Sequence, residues 1–100
     1  MISYEVTTTL NDASAAERFS DWMCEQHIPQ VVAAGGFVGA ELARLTETKF
    51  RTRYLARDQA ALDAYLGKHA ERLREEFALH FGSVATNTRD VWTVVDTWGR

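Results

Sequence analysis

The chain has 100 residues, of which 46% are hydrophobic and 25% are charged, and its net charge is −3. This balance excludes a disordered chain, and the negative charge gives no general attraction for nucleic acid or an anionic membrane. The single cysteine, Cys24, excludes an internal disulfide, and no segment is long and apolar enough to span a bilayer. The N-terminus lacks the basic start and apolar core of a signal peptide. We therefore expect one cytoplasmic domain over residues 1–100, whose thin core would benefit from oligomerisation.

The first predicted element is a strand over residues 2–10. Its even-numbered positions are mostly apolar, its odd-numbered positions are polar, and β-branched residues are frequent. Strict alternation with such residues is typical of a half-buried strand.

A helix is predicted to follow this strand. Ser14 and Glu17 have the spacing of a capping box, and Phe19, Trp22 and Met23 recur at helical spacing. Pro29 should stop or kink this helix near residue 27, because its ring clashes with the carbonyl of the residue four positions earlier. A short helix over residues 29–34 should follow and end at Gly35 and Gly36.

The second half of the chain predicts two further strands, a second helix and a last strand. The strands cover residues 37–45 and 50–56, and Asp58 is a suitable helix cap. The second helix carries an apolar stripe over residues 62–77, and the last strand covers residues 91–98. The resulting β-α-β-β-α-β order is the split-βαβ pattern of ferredoxin-like folds. We therefore predict an α+β domain with a four-stranded antiparallel sheet and two helices on one face.

Short segments spread over nearly the whole chain resemble a family of bacterial proteins of about this length, described as a domain of unknown function. They comprise residues 1–6, 22–23, 27–31, 35, 37, 65–66, 69–70, 73–74 and 81–82. The family is similar to the dimeric α+β-barrel superfamily, which includes cofactor-free monooxygenases of aromatic substrates, muconolactone isomerases, polyketide cyclases, a haem-dependent branch and non-catalytic ligand-binding domains. The resemblance implies a subunit fold and a homodimer, but no particular reaction.

His27 is a candidate catalytic residue at the predicted end of the first helix. Histidine titrates near neutral pH and can act as a general base or bind a ligand. Phe19, Trp22 and Met23 orient this helix toward the sheet, so we predict that Trp22 also contacts the ligand. The alternative is a structural histidine bonded to the local backbone.

His69 is the second candidate catalytic residue, because it lies on the apolar stripe of the second helix. Tyr65 is one turn earlier, and Tyr4 and Tyr54 are predicted to point at the same layer from the sheet. A histidine with these ligand-binding tyrosines around an apolar cavity could enolise or protonate an aromatic ligand. The alternative is a core histidine that bonds a tyrosine hydroxyl or a water.

No metal or cofactor site is predicted. His69 and His80 are separated by about 16 Å along a helix, and Cys24 has no second cysteine. For Cys24, a small thiol without a catalytic role is the favoured interpretation.

Two pairs of residues suggest surface roles. Arg51 and Arg53 share a strand face and could pair with Glu5 or bind an anion. Trp92 and Trp98 share one face of the predicted last strand, which favours a protein interface.

Two functions fit these patterns. One is a cofactor-independent enzyme of the cyclase, isomerase or monooxygenase type, which acts on a small hydrophobic, aromatic or polyketide-like molecule by histidine acid-base chemistry. The other is a non-catalytic dimeric module that binds a ligand or a protein. The predicted partners are a second copy of the chain and a small hydrophobic ligand, with no nucleic acid and no membrane.

Overall fold

Four strands form one antiparallel sheet in the computed structural model, which describes residues 1–99. Their bounds are Ile2–Leu10 (β1), Gly39–Arg44 (β2), Lys49–Ala56 (β3) and Ala85–Thr93 (β4). The spatial order is β2-β3-β1-β4, so β1 is central and pairs with both β3 and β4. The last residue of the predicted domain, Arg100, lies outside the described residues.

Helices cover one face of the sheet and confirm the ferredoxin-like prediction. A 3₁₀ turn (Ala13–Ala15) leads into α1 (Ala16–Trp22), and α2 (Ile28–Gly35) continues the same helix after a π-helical segment. Then come α3 (Gln59–Lys68) and α4 (Ala70–Phe81). Over residues 1–99 the helical layer thus contains three helices, namely the continuous α1–α2 helix, α3 and α4. The sequence predicts two.

The π-helical segment, Met23–His27, explains how the chain accommodates Pro29. The backbone N–H of Ile28 donates to the carbonyl of Met23, five residues earlier. Proline has no N–H, and its ring crowds the carbonyl of Glu25, so the turn before it widens. The predicted kink near His27 is therefore a wide turn within a continuous helix. As predicted, this helix ends at Gly35 and Gly36, where Gly36 has a φ of 61°.

Three local predictions need correction. The side chain of Asp12, and not that of Ser14, caps the first helical turn by accepting from the Ser14 N–H. The second predicted helix is two helices, because the chain breaks at His69, whose φ is −127°. The last strand ends at Thr93 rather than at residue 98, so Trp98 lies beyond it. The predicted cap at Asp58 is confirmed, since its carboxylate accepts from the Ala61 N–H at 2.8 Å.

The core consists of two apolar clusters between the helices and the sheet. One cluster is centred on the tyrosines of β1, β3 and α3 together with Phe37 and Leu62. The other is built from phenylalanines, with Phe19 in contact with Phe50, Phe77 and Phe81. Buried threonines of the sheet, Thr8 and Thr52, lie between the two clusters.

The face of the sheet opposite the helices is open. Here Glu41 pairs with Arg51 at 2.9 Å and with Arg53 at 3.1 Å, so the predicted partner Glu5 is replaced by a residue of β2. Trp92 is paired with Ser3 and lies on this open face. The accessible surface is 6325 Å², against about 5,700 Å² for an average folded monomer of this mass. The uncovered sheet face and the exposed residues after β4, such as Val95 and Trp98, both contribute to this excess.

Among residues 1–99, no helix has the length and apolar character needed to cross a membrane.

Candidate functional site

A small cavity lies between the helical layer and the sheet, where the two core clusters meet. Tyr4, Tyr54, Tyr65 and Leu73 border it from one cluster, and Met23 and Phe77 border it from the other. Its volume is about 30 Å³, which is enough for one or two waters. A ring-sized ligand would therefore enter only with movement of side chains at its border.

His27 lines this cavity, as the sequence predicts, and the widened π-helical turn places it there. Its Nδ1 atom is buried and has no hydrogen-bond partner among residues 1–99. Burial lowers the pKa of His27 to about 4, and the positive charge of Arg89 contributes to the same shift. The imidazole is therefore neutral at neutral pH and can accept a proton or a hydrogen bond.

The three tyrosines predicted at the site converge on the cavity. Tyr4 and Tyr54 are opposite residues of β1 and β3, with ring centroids 6.1 Å apart, and the ring of Tyr65 lies 6.3 Å from that of Tyr4. Burial raises the pKa of Tyr65 to about 12, and burial also raises the pKa of Tyr54. Both hydroxyls therefore stay protonated and can donate hydrogen bonds.

Two predicted site residues lie elsewhere. His69 does not border the cavity, because the helix breaks at this residue; its Nδ1 lies 3.3 Å from Arg72 Nη2. Trp22 also lies outside the lining and packs behind His27, with ring centroids 5.0 Å apart. The predicted border of His27, Tyr65 and His69 thus lacks His69, and Trp22, predicted to contact the ligand, lies behind His27. Cys24 is exposed.

Two arginines border the cavity that the sequence patterns did not single out. Arg74 of α4 donates a 3.1 Å hydrogen bond to the Tyr4 hydroxyl, and Arg89 of β4 is paired with Val6 on the inner face. Arg74 directly follows Leu73 of the apolar stripe, and this position could have indicated that Arg74 lies near the core. No sequence pattern indicated Arg89, because the predicted last strand began at residue 91.

Polar groups of the sheet complete the lining. The Thr8 hydroxyl donates to Asn87 Oδ1 at 2.6 Å, and the buried Thr52 hydroxyl has no partner within the described part of the chain. Over residues 1–99, no three histidine, cysteine or acidic side chains come together in a group able to hold a metal ion. The arrangement combines a neutral base, tyrosine donors and two cations around an apolar space.

The fold and cavity define a ferredoxin-like α+β domain with a candidate small-molecule site between its layers. The chain belongs to the domain family of unknown function DUF4286, whose pattern matches residues 1–95. No curated protein sequence matches the chain.

Solved structures share the fold at low sequence identity. A mutant of SnoaB from Streptomyces nogalater, a cofactor-independent oxygenase, is 17% identical with a TM-score of 0.77, and the match covers 99% of this chain and 97% of that one. A dimeric ferredoxin-like protein from an uncultured marine organism is 14% identical with a TM-score of 0.78, over 97% of each chain. HapK from Hahella chejuensis is 14% identical with a TM-score of 0.75, over 100% of this chain and 99% of that one.

Proposed function

We propose that this protein is a cofactor-independent enzyme that removes a proton from a small aromatic or polyketide-like molecule, with His27 as the general base. The observation that carries the proposal is the buried Nδ1 of His27 at the border of the cavity, which no group of residues 1–99 hydrogen-bonds. A desolvated base beside an apolar space is a frequent arrangement at catalytic sites. The similarity in fold to a cofactor-independent oxygenase supports the same class.

The proposed step is a proton transfer that isomerases, cyclases and monooxygenases of this kind share. The neutral imidazole of His27 takes a proton from an acidic C–H beside a carbonyl group, and the electron pair of that bond moves onto the carbonyl oxygen. Tyr65 and the hydroxyl of Tyr4 donate hydrogen bonds that stabilise the resulting enolate. The proton stays on His27 until it returns to the product.

We propose that the protein acts as a homodimer that pairs through the open sheet face. Trp92 is 57% exposed on that face, where Glu41 and the two arginines it binds add polar contacts. Solved structures of the same fold are described as dimeric ferredoxin-like proteins. Pairing would cover apolar surface that a monomer leaves in water.

A second function has one observation in its favour. Among residues 1–99 no carboxylate borders the cavity, so His27 has no acidic residue there to orient it or to stabilise its protonated form. A site of this kind could bind a ligand without transforming it, as a dimeric binding module.

Solvent exchange tests the proposed chemistry without knowledge of the natural substrate. 2-Tetralone carries acidic C–H bonds beside its carbonyl group, and proton NMR in D₂O follows their replacement by deuterium. The wild-type protein should accelerate the exchange, His27→Gln should lose at least about 100-fold of that acceleration, and His69→Gln should retain it.

The same samples separate the two functions. If 2-tetralone perturbs the amide signals of cavity residues while its exchange stays at the uncatalysed rate, the binding module is correct. If it neither binds nor exchanges, the cavity proposal is contradicted for this ligand class.

A further inference from the structure

Two arginines reach the cavity from opposite layers of the fold. Arg74 comes from α4 and Arg89 from β4, and both border the same cavity. The hydrogen bond from Arg74 to the Tyr4 hydroxyl directs its guanidinium group toward the sheet. Two positive charges therefore lie beside the aromatic lining.

The protein does not balance these charges locally. Within residues 1–99, neither Arg74 nor Arg89 has a carboxylate oxygen within 4.0 Å, and the cavity lining contains no acidic residue. On the open sheet face, by contrast, Arg51 and Arg53 both pair with Glu41. Both arginine side chains are exposed, so an anionic group from outside the chain can reach them.

We propose that the ligand of this cavity carries a carboxylate, which binds between Arg74 and Arg89 while its ring enters the apolar part of the site. The planar fork of a guanidinium group matches a carboxylate in geometry and charge. Tyr4, Tyr65 and Phe77 then receive the ring. This inference rests on the proposed small-molecule site and narrows its ligands to aromatic acids.

A bound carboxylate would also act on His27. Burial and the positive charge of Arg89 hold the imidazole of His27 neutral by lowering its pKa. The charged residues that line the cavity, Arg74 and Arg89, are both cations. An anion beside Arg89 would offset the positive potential and favour the protonated imidazole. The cavity lining contains no acidic residue among residues 1–99, so the substrate itself would supply the negative charge that stabilises the protonated imidazole.

A matched set of ligands tests the assignment. We would measure binding of 2-naphthoate, 2-naphthamide and 2-naphthyl phosphate by the shifts of amide NMR signals. 2-Naphthoate should bind at least about tenfold more tightly than the uncharged amide and no more weakly than the phosphate. Arg74→Gln and Arg89→Gln should each remove most of that preference, whereas Arg57→Gln, which changes the same charge away from the cavity, should not.

Each result has a distinct meaning. Equal binding of naphthoate and naphthamide, with both arginine variants unchanged, would refute the carboxylate site and leave the small-molecule site standing. Tighter binding of the phosphate would refute the carboxylate as the anion. Failure of all three to bind would contradict the cavity function together with this inference. Arginine-dependent binding of naphthoate would support the carboxylate site, with or without catalysed exchange of the uncharged 2-tetralone.

Discussion

The imidazole of His27 lies nearly parallel to the indole of Trp22, with ring centroids 5.0 Å apart and an interplanar angle of 21°. The ring of Phe77 contacts His27 as well, at a centroid distance of 5.8 Å. Trp22 also packs against His80 and Phe81. Because no group among residues 1–99 holds the buried Nδ1 of His27 by a hydrogen bond, these aromatic contacts fix the orientation of the candidate base.

Trp22→Leu should therefore loosen His27 as well as weaken the core. We expect the free energy of unfolding to fall by about 1–3 kcal/mol, because a large aromatic contact surface is lost. Histidine ring NMR signals should show new motion at His27 but not at His69. Trp22→Phe is the matched control, and it should keep the ring stack and the rigid signals. Rigid His27 signals in Trp22→Leu would show that other contacts orient the base.

His27 should make stability depend on pH. Its folded pKa of about 4 lies below the unfolded value of 6.5, so between these values the unfolded chain binds more protons. The free energy of unfolding should thus decrease as the pH falls through this interval, by about 2–3 kcal/mol from this residue. Urea unfolding at both ends of the interval, at equal protein concentration, would measure the decrease. His27→Gln should remove that part of it, and an identical decrease in the variant would contradict the assignment.

Gly35 and Gly67 form a matched pair for stability. A Cβ atom on Gly35 would lie 3.0 Å from the Tyr65 ring and closer still to the Phe37 ring, whereas at Gly67 it would meet nothing within 4 Å among the described residues. Gly35→Ala should destabilise the fold by about 1–3 kcal/mol through overpacking. Gly67→Ala should stabilise it by about 0.5 kcal/mol, since alanine favours the helix. Thermal unfolding would show both effects, and equal midpoints for the two variants would contradict the packing around Gly35.

Trp92 and Leu79 are both exposed apolar residues, but they lie on different sides of the fold. Trp92 is on the open sheet face, and Leu79 is 88% exposed on α4. Trp92→Glu should shift the protein from dimer to monomer at micromolar concentration, because the charge would be buried in the interface. Leu79→Glu should leave the dimer intact. Light scattering distinguishes the species, and a monomeric wild-type protein would refute the dimer directly.

Features set by neighbouring residues could be read from the sequence. The strand over residues 2–10, the cap at Asp58 and the disturbance before Pro29 depend on local chemistry, and each has its counterpart in the structure. The helix break at His69 could not be predicted from the sequence. The apolar residues before and after His69 continue one helical stripe, and no proline interrupts them.

The position of β4 could not be read in the same way. Residues 85–93 contain few apolar side chains and are largely exposed, so their strand conformation depends on pairing with β1. That pairing brings Arg89 opposite Val6 and into the cavity. The last strand was predicted over the more apolar residues 91–98 instead. That prediction left out Arg89, one of the two cations at the cavity.

The wide turn at Met23–His27 corrects the phase of the long helix. Phe19 and Val31 are both buried toward the sheet, yet twelve residues of regular helix would rotate one from the other by about 120°. The single extra residue of a π turn removes about 100° of this difference, so both side chains face the same layer. A one-residue deletion within this turn would therefore keep the buried faces of both helical halves in phase. It would remove the widened turn alone, and with it the geometry that aims an imidazole at the cavity.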